Sequence, residues 1–98
     1  MKRVAIIGAG IAGLAAAHRL LERSTETGEP LELLIFEAGP RLGGIIKTEE
    51  RDGFLLEQGP DSFITEKPAA IELARRLGLE SHVIQTNETH RRSFIVRG

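Results

Sequence analysis

The sequence contains no cysteine, no tryptophan and no tyrosine, and its only aromatic residues are four phenylalanines. Without cysteine there is no disulfide, no thiolate nucleophile and no zinc site built on sulfur. Redox chemistry in this chain must therefore come from a cofactor. An excess of one charge is also missing: 13 Lys and Arg face 14 Asp and Glu, for a net charge of −1. No long-range positive field is available to attract a phosphodiester backbone, so nucleic acid is not expected as a partner. Long apolar runs are absent. Val4–Ile7 is too short for a signal-peptide core and leads into glycines rather than a cleavage site. Nothing approaches the roughly 20 apolar residues of a membrane span. A cytoplasmic protein is expected, with peripheral membrane attachment left open. His18, His82 and His90 are too scattered for metal-ligand spacing, and no metal is expected.

What is present is a soluble globular composition, 41% hydrophobic and 28% charged. The 98 residues fit within one domain and leave no room for a second, substrate-binding one. Val4-Ala5-Ile6-Ile7 reads as a strand buried on both faces of a parallel sheet. Ile11, Leu14, Ala15, Ala17 and Leu21 then follow helical steps, with the helix expected to fade near Glu22 to Ser24. Ser24 to Pro30 reads as a turn, and Leu31 to Glu37 as the second strand. The expected fold class is thus α/β, with a parallel βαβ unit. Two β-prone segments, Ile45 to Thr48 and Phe54 to Glu57, flank Asp52-Gly53, a strong hairpin signal. Pro68 to Leu77 should be helical, stopped by a left-handed Gly78. Phe94 to Val96 is the last strand-like run, headed by Arg91 and Arg92.

Gly8-Ala9-Gly10-Ile11-Ala12-Gly13 matches GxGxxG, and each glycine has a steric task. Gly8 allows the tight turn off the strand, Gly10 lets a pyrophosphate reach the backbone, and Gly13 lets the helix pack on the sheet. Backbone N–H groups and the helix dipole then hold the phosphate charge. The pattern alone is weak, but here it joins a strand to a helix. Glu37 follows at the end of the next strand, at about the 20-residue distance the dinucleotide fingerprint calls for. Its carboxylate is placed to accept from both hydroxyls of an adenosine ribose and to repel a 2′-phosphate, which argues against NADP. The alternatives are a merely structural βα turn and a solvated strand-end acid.

The next segment, Glu37-Ala38-Gly39-Pro40-Arg41-Leu42-Gly43-Gly44, resembles the flavoprotein superfamily of monoamine oxidases, phytoene desaturases and protoporphyrinogen oxidases. The resemblance implies FAD as cofactor, with Glu37 and Ala38 at the nucleotide and Arg41, Gly43 and Gly44 near its pyrophosphate. Phe54 to Phe63, with Glu57-Gln58-Gly59-Pro60-Asp61-Ser62 at its centre, is similar to a stretch of the HemY-type porphyrinogen oxidases of heme biosynthesis. That similarity runs through all 98 residues. It implies that the backbone of Gly59, Pro60, Asp61 and Ser62 passes beside the flavin, and that the substrate is protoporphyrinogen or coproporphyrinogen. It also implies that the chain is the N-terminal part of an FAD-binding domain, lacking the substrate domain and the C-terminal segment that completes the cofactor site. Arg92 matches a family arginine at the substrate pocket, where it would pair with a propionate. The bland readings are a solvent-facing arginine turn at Arg41, capping by Asp61 and Ser62, and solvent-facing arginines at the last strand. An amine oxidase or carotenoid desaturase shares the glycine loop and Glu37. A non-catalytic nucleotide-binding module is the alternative of another class.

Overall fold

The computed structural model describes residues 1–98. Its chain forms two units, Met1–Ser62 and Phe63–Gly98.

In the first unit, β1 (Lys2–Ile7) pairs in parallel with β2 (Leu31–Phe36), with Val4 opposite Leu33 and Ile6 opposite Ile35. Parallel neighbours need a crossover. It is supplied by α1 (Ile11–Thr27), which packs on both strands. Side chains alternate along a strand, so Val4, Ile6, Leu33 and Ile35 share the face toward α1. Ala5, Ile7, Leu34 and Phe36 occupy the opposite face and are exposed, Ile7 to 82% and Phe36 to 54%. The expectation that β1 is buried on both faces is therefore not met: Val4 and Ile6 are half-buried on the face toward α1, and the other face is exposed. Core burial is concentrated where α1 meets the sheet, at Ala9 and Ala17. Ile11 and Leu21, assigned from periodicity to the packed face of α1, are instead half exposed.

Helix α1 does not fade near Glu22 to Ser24; it continues to Thr27 and ends on left-handed Gly28. The segment expected as a turn is helical, with ion pairs along its surface and threonine hydroxyls on the preceding turn. Arg19 pairs with Glu22 and Glu26, and Arg23 with Glu26. The Thr25 and Thr27 hydroxyls donate to the Leu21 and Arg23 carbonyls. An i,i+3 pair such as Arg19–Glu22 or Arg23–Glu26 contributes about 0.2–0.5 kcal/mol.

The hairpin comprises β3 (Thr48–Arg51) and β4 (Phe54–Glu57), antiparallel, with Arg51 opposite Phe54. Asp52 and Gly53 both have positive φ, 53° and 81°, the geometry of a type I′ turn. Strand β3 begins at Thr48, three residues later than Ile45, because Ile46 is drawn into a turn by donating to the Gly43 carbonyl.

In the second unit, α2 (Ala69–Arg76) is flanked by Pro68 and Leu77 as caps. Gly78 N–H donates to Arg75 O at 3.0 Å and Leu79 N–H to Ala74 O at 2.8 Å, the paired bonds of a Schellman stop. Short 3-10 turns follow at Glu80–His82 and Glu88–His90. The strand expected over Phe94 to Val96 does not form, and these residues are exposed at 80% or more. An isolated strand leaves its backbone groups unpaired; only a partner strand makes one. The opposite-face parity of Arg91 and Arg92 goes with it.

Candidate cofactor site

The site is built where the C-terminal ends of β1 and β2 meet the start of α1. Gly8 N–H donates to Phe36 O at 2.7 Å, continuing the parallel ladder one step past β1. Gly10 is the N-cap of α1, with no side-chain cap and no acid in the first turn. The N–H groups of the first helical turn have no intrahelical acceptors by geometry. The turn itself carries no acid, and the Glu37 carboxylate takes the Ala9 N–H just ahead of it. Ile11, Ala12 and Gly13 thus present donors to the space before α1.

Each glycine meets a different surrounding. A Cβ on Gly13 would lie 2.0 Å from the Gly8 carbonyl oxygen and 3.3 Å from Ile6 Cγ2, so helix and sheet touch there. A Cβ on Gly10 would find only Gly44 Cα, at 4.0 Å. Gly13 serves packing, whereas Gly10 leaves open space where a phosphate can approach.

Glu37 does more than await a ligand. Its Oε1 accepts from the Ala9 N–H at 3.0 Å and its Oε2 from the Gly39 N–H at 2.7 Å. It therefore ties the glycine loop to the turn after β2. These two donors, Gly39 first and then Ala9, hold the carboxyl below the ordinary carboxylate pKa, with Arg41 adding a smaller Coulombic contribution. Each carboxylate oxygen has a second lone pair, which leaves acceptor capacity for ribose hydroxyls. Because the folded value is depressed, the tie is fully present above the ordinary glutamate value, about pH 4.3. It is lost as pH falls through the lower folded value. The Ala9 and Gly39 amide shifts should titrate together below pH 4.3, and Glu37→Gln should abolish the inflection. A midpoint at the ordinary value, or movement of only one amide, would refute the tie.

Ala38 follows Glu37 in the exposed turn, and its N–H contributes modestly to the same depression. Gly43 N–H donates to Ala9 O at 2.8 Å, and Gly43 forms a parallel bridge with Gly10. A Cβ on Gly44 would lie 3.1 Å from Gly10 Cα. Thus two glycine segments 30 residues apart in the chain are stacked backbone on backbone.

Residues 11–98 match the family of flavin containing amine oxidoreductases. The chain belongs to this family. Among similar proteins is the coproporphyrinogen III oxidase of Bacillus subtilis, 49% identical over 88 residues and 90% of this chain. The coproporphyrinogen III oxidase of Staphylococcus aureus is 42% identical over 90% of the chain. Protoporphyrinogen oxidase 2 of Arabidopsis thaliana is 33% identical over 98% of it. The chain spans 18% of the length of each of these relatives. A crystal structure from Exiguobacterium sp. 255-15, assigned as a protoporphyrinogen oxidase, superposes with a TM-score of 0.69 at 42% identity. It covers 82% of this chain and 17% of that one. No helix of the chain is long and apolar enough to cross a membrane.

Of the residues expected at a flavin site, Gly8 to Gly13, Glu37, Ala38, Arg41, Gly43 and Gly44 come together. Gly59 is drawn in through the loop, since a Cβ there would lie 2.0 Å from the Ile45 carbonyl oxygen. Pro60, Asp61 and Ser62 follow as exposed, irregular chain, and neither Asp61 nor Ser62 caps α2, whose N-cap is Pro68. Arg92 lies in the second unit, with its N–H on His90 O at 3.0 Å. Arg91 reaches the Thr86 hydroxyl at 3.4 Å. His18 is not a helix-terminal residue. It sits within α1, half buried, with Nδ1 3.5 Å from Glu22 Oε1. The Ala9–Glu37 bond and the role of the 42–46 carbonyls were not legible in the sequence, because a backbone donor or acceptor leaves no trace in residue identity.

Proposed function

We propose that this chain is the dinucleotide-binding front of an FAD-dependent oxidoreductase that converts a porphyrinogen to the porphyrin. The observation carrying the reading is the meeting of Gly8–Gly13, Glu37 and Gly43–Gly44 around one open space at the start of α1. The relatives named for coproporphyrinogen and protoporphyrinogen oxidation supply the substrate class.

The N–H groups of Ile11 to Gly13 would take the pyrophosphate, aided by the helix dipole. Glu37 would accept from the adenosine ribose with its remaining lone pairs. The backbone of Gly59 to Ser62 would run beside the ring system. Bound FAD supplies a two-electron acceptor for hydride from the substrate. This segment binds and orients that acceptor, and the segments that enclose substrate and complete the site would come from further chain. Arg92 is the candidate anchor for a substrate propionate, since a guanidinium donates two parallel hydrogen bonds to a carboxylate.

The test is anaerobic mixing of the complete protein with coproporphyrinogen III or protoporphyrinogen IX. Flavin absorbance should bleach on mixing, as one flavin takes the first two of the six electrons, and porphyrin fluorescence should appear only once dioxygen is admitted to reoxidise the flavin for the remaining steps. Residues 1–98 alone should hold FAD weakly, with Kd above the micromolar range. Arg92→Ala should raise KM roughly tenfold or more, from about 1.5–3 kcal/mol of lost charged hydrogen bonding, with flavin content unchanged. Arg91→Ala should do little. A complete protein that binds no flavin, or whose flavin is reduced by amines and not by porphyrinogens, would overturn the reading. Equal small effects of the two arginine substitutions would remove Arg92 from it.

A further inference from the structure

Arg41 lies next to the glycine pair, where a cation is naturally read as a partner for phosphate. Its actual hydrogen bonds point elsewhere. Nη1 donates to Leu42 O at 3.1 Å and to Ile46 O at 3.2 Å, and Nη2 donates to Gly44 O. Three carbonyls from a five-residue stretch converge on one planar guanidinium. The loop is wrapped around the side chain.

The wrapped loop has a backbone that only glycine adopts readily. Gly43 and Gly44 are consecutive with φ of 106° and 60°, so the turn needs an external constraint to hold it. Nη1 also lies 3.4 Å from where a Gly43 Cβ would be. The turn so held delivers Gly43 N–H to Ala9 O and sets Gly44 against Gly10. It thereby fixes the wall of the space before α1.

We propose that Arg41 is a positioning residue for the dinucleotide: it acts through the 42–46 backbone, bracing the Gly43–Gly44 turn against Gly10, rather than by neutralising phosphate charge. The inference rests on the proposed reading of the site as an FAD cradle. It makes a chemical distinction between two cations. A lysine retains the positive charge and serves well as a point partner of phosphate. It lacks the fixed fork that reaches three carbonyls at once.

The experiment compares Arg41→Lys and Arg41→Ala in the complete protein, by FAD affinity of the apoprotein and by amide exchange at Gly43. A brace predicts that lysine and alanine are alike. Both should weaken FAD tenfold or more, leave the salt dependence of binding unchanged, and speed exchange at Gly43 while Ile6 and Leu34 in β1 and β2 keep their protection. A phosphate partner predicts that lysine retains most of the affinity and that alanine flattens the salt dependence. That result overturns the proposal, as does unchanged exchange at Gly43. If the unsubstituted protein takes up no flavin, the reading of the site fails, and exchange at Gly43 still decides the brace. Lost protection throughout β1 and β2 would mean a general role in folding and would also reject it.

Discussion

Gly13→Ala should strip flavin from the complete protein and destabilise the apoprotein by about 1–3 kcal/mol or more, the cost of forcing volume into a packed contact. The added Cβ would lie 2.0 Å from the Gly8 carbonyl oxygen and 3.1 Å from its carbon. Neither can retreat easily. Gly8 is held to β2 through its N–H on Phe36 O, and the clash is with backbone rather than with a flexible side chain. The start of α1 must therefore move off the sheet, taking its phosphate-facing N–H groups with it. Gly10→Ala is the informative partner, because its Cβ would meet only Gly44 Cα at 4.0 Å. The apoprotein should keep its thermal stability, while FAD affinity falls tenfold or more as the methyl fills the space a phosphate needs. Measured together, the two separate a glycine that packs from a glycine that admits ligand. Equal losses of stability, or Gly13→Ala with wild-type stability, would show that the contact is not as tight as the geometry states.

The features legible in the sequence were those fixed by local stereochemistry. GxGxxG between an apolar run and an alanine-rich helical face specified the βα turn, and Glu37 came at the right distance. Asp52-Gly53 specified a two-residue hairpin loop because few residue pairs tolerate two positive φ values in succession. Gly78 specified a helix stop for the same reason. Features that depend on partners distant in sequence were not legible. Whether Phe94 to Val96 forms a strand depends on a neighbouring strand, which their own residues do not encode. The end of α1 was misplaced because Arg19, Arg23 and Glu26 look like solvated charges until the helix aligns them. Continuous apolar runs marked β1 and β2 as strands, but what covers Ile7, Leu34 and Phe36 is a tertiary question.

The cofactor site divides in the same way. The family motif marked Arg41 as a residue near phosphate, and its place beside the glycine pair was what residue identity could carry. Its hydrogen bonds go to the carbonyls of Leu42, Gly44 and Ile46, and every residue has such a carbonyl. Glu37 is similar. Its place at the strand end was readable, but its bond to Ala9 N–H depends on how closely β1 and β2 bring their ends together.

Gly59→Ala should have an effect as large as Gly13→Ala, though Gly59 lies outside the glycine loop. Gln58 N–H donates to Lys47 O at 2.7 Å, extending the β3–β4 ladder by one bond. The chain then crosses directly over Ile45, and a Cβ on Gly59 would stand 2.0 Å from its carbonyl oxygen and 3.0 Å from its carbon. Ile45 is not free to yield, because the next residue is fastened on both sides: Ile46 N–H to Gly43 O, and Ile46 O to Arg41. Displacing Ile45 therefore pulls on the turn that sets Gly44 against Gly10. The expected outcome is a loss of flavin affinity of tenfold or more together with lost amide protection at Ile46 and Gly43. Gly53→Ala provides the contrast. Its position has open space but a φ of +81°, so alanine there should cost about 1–2 kcal/mol of left-handed strain and leave flavin binding unchanged. If Gly59→Ala kept its flavin affinity within twofold while Gly53→Ala lost it, the route from β4 through Ile45 to the glycine pair would be wrong. The hairpin, not the crossing, would then support the site.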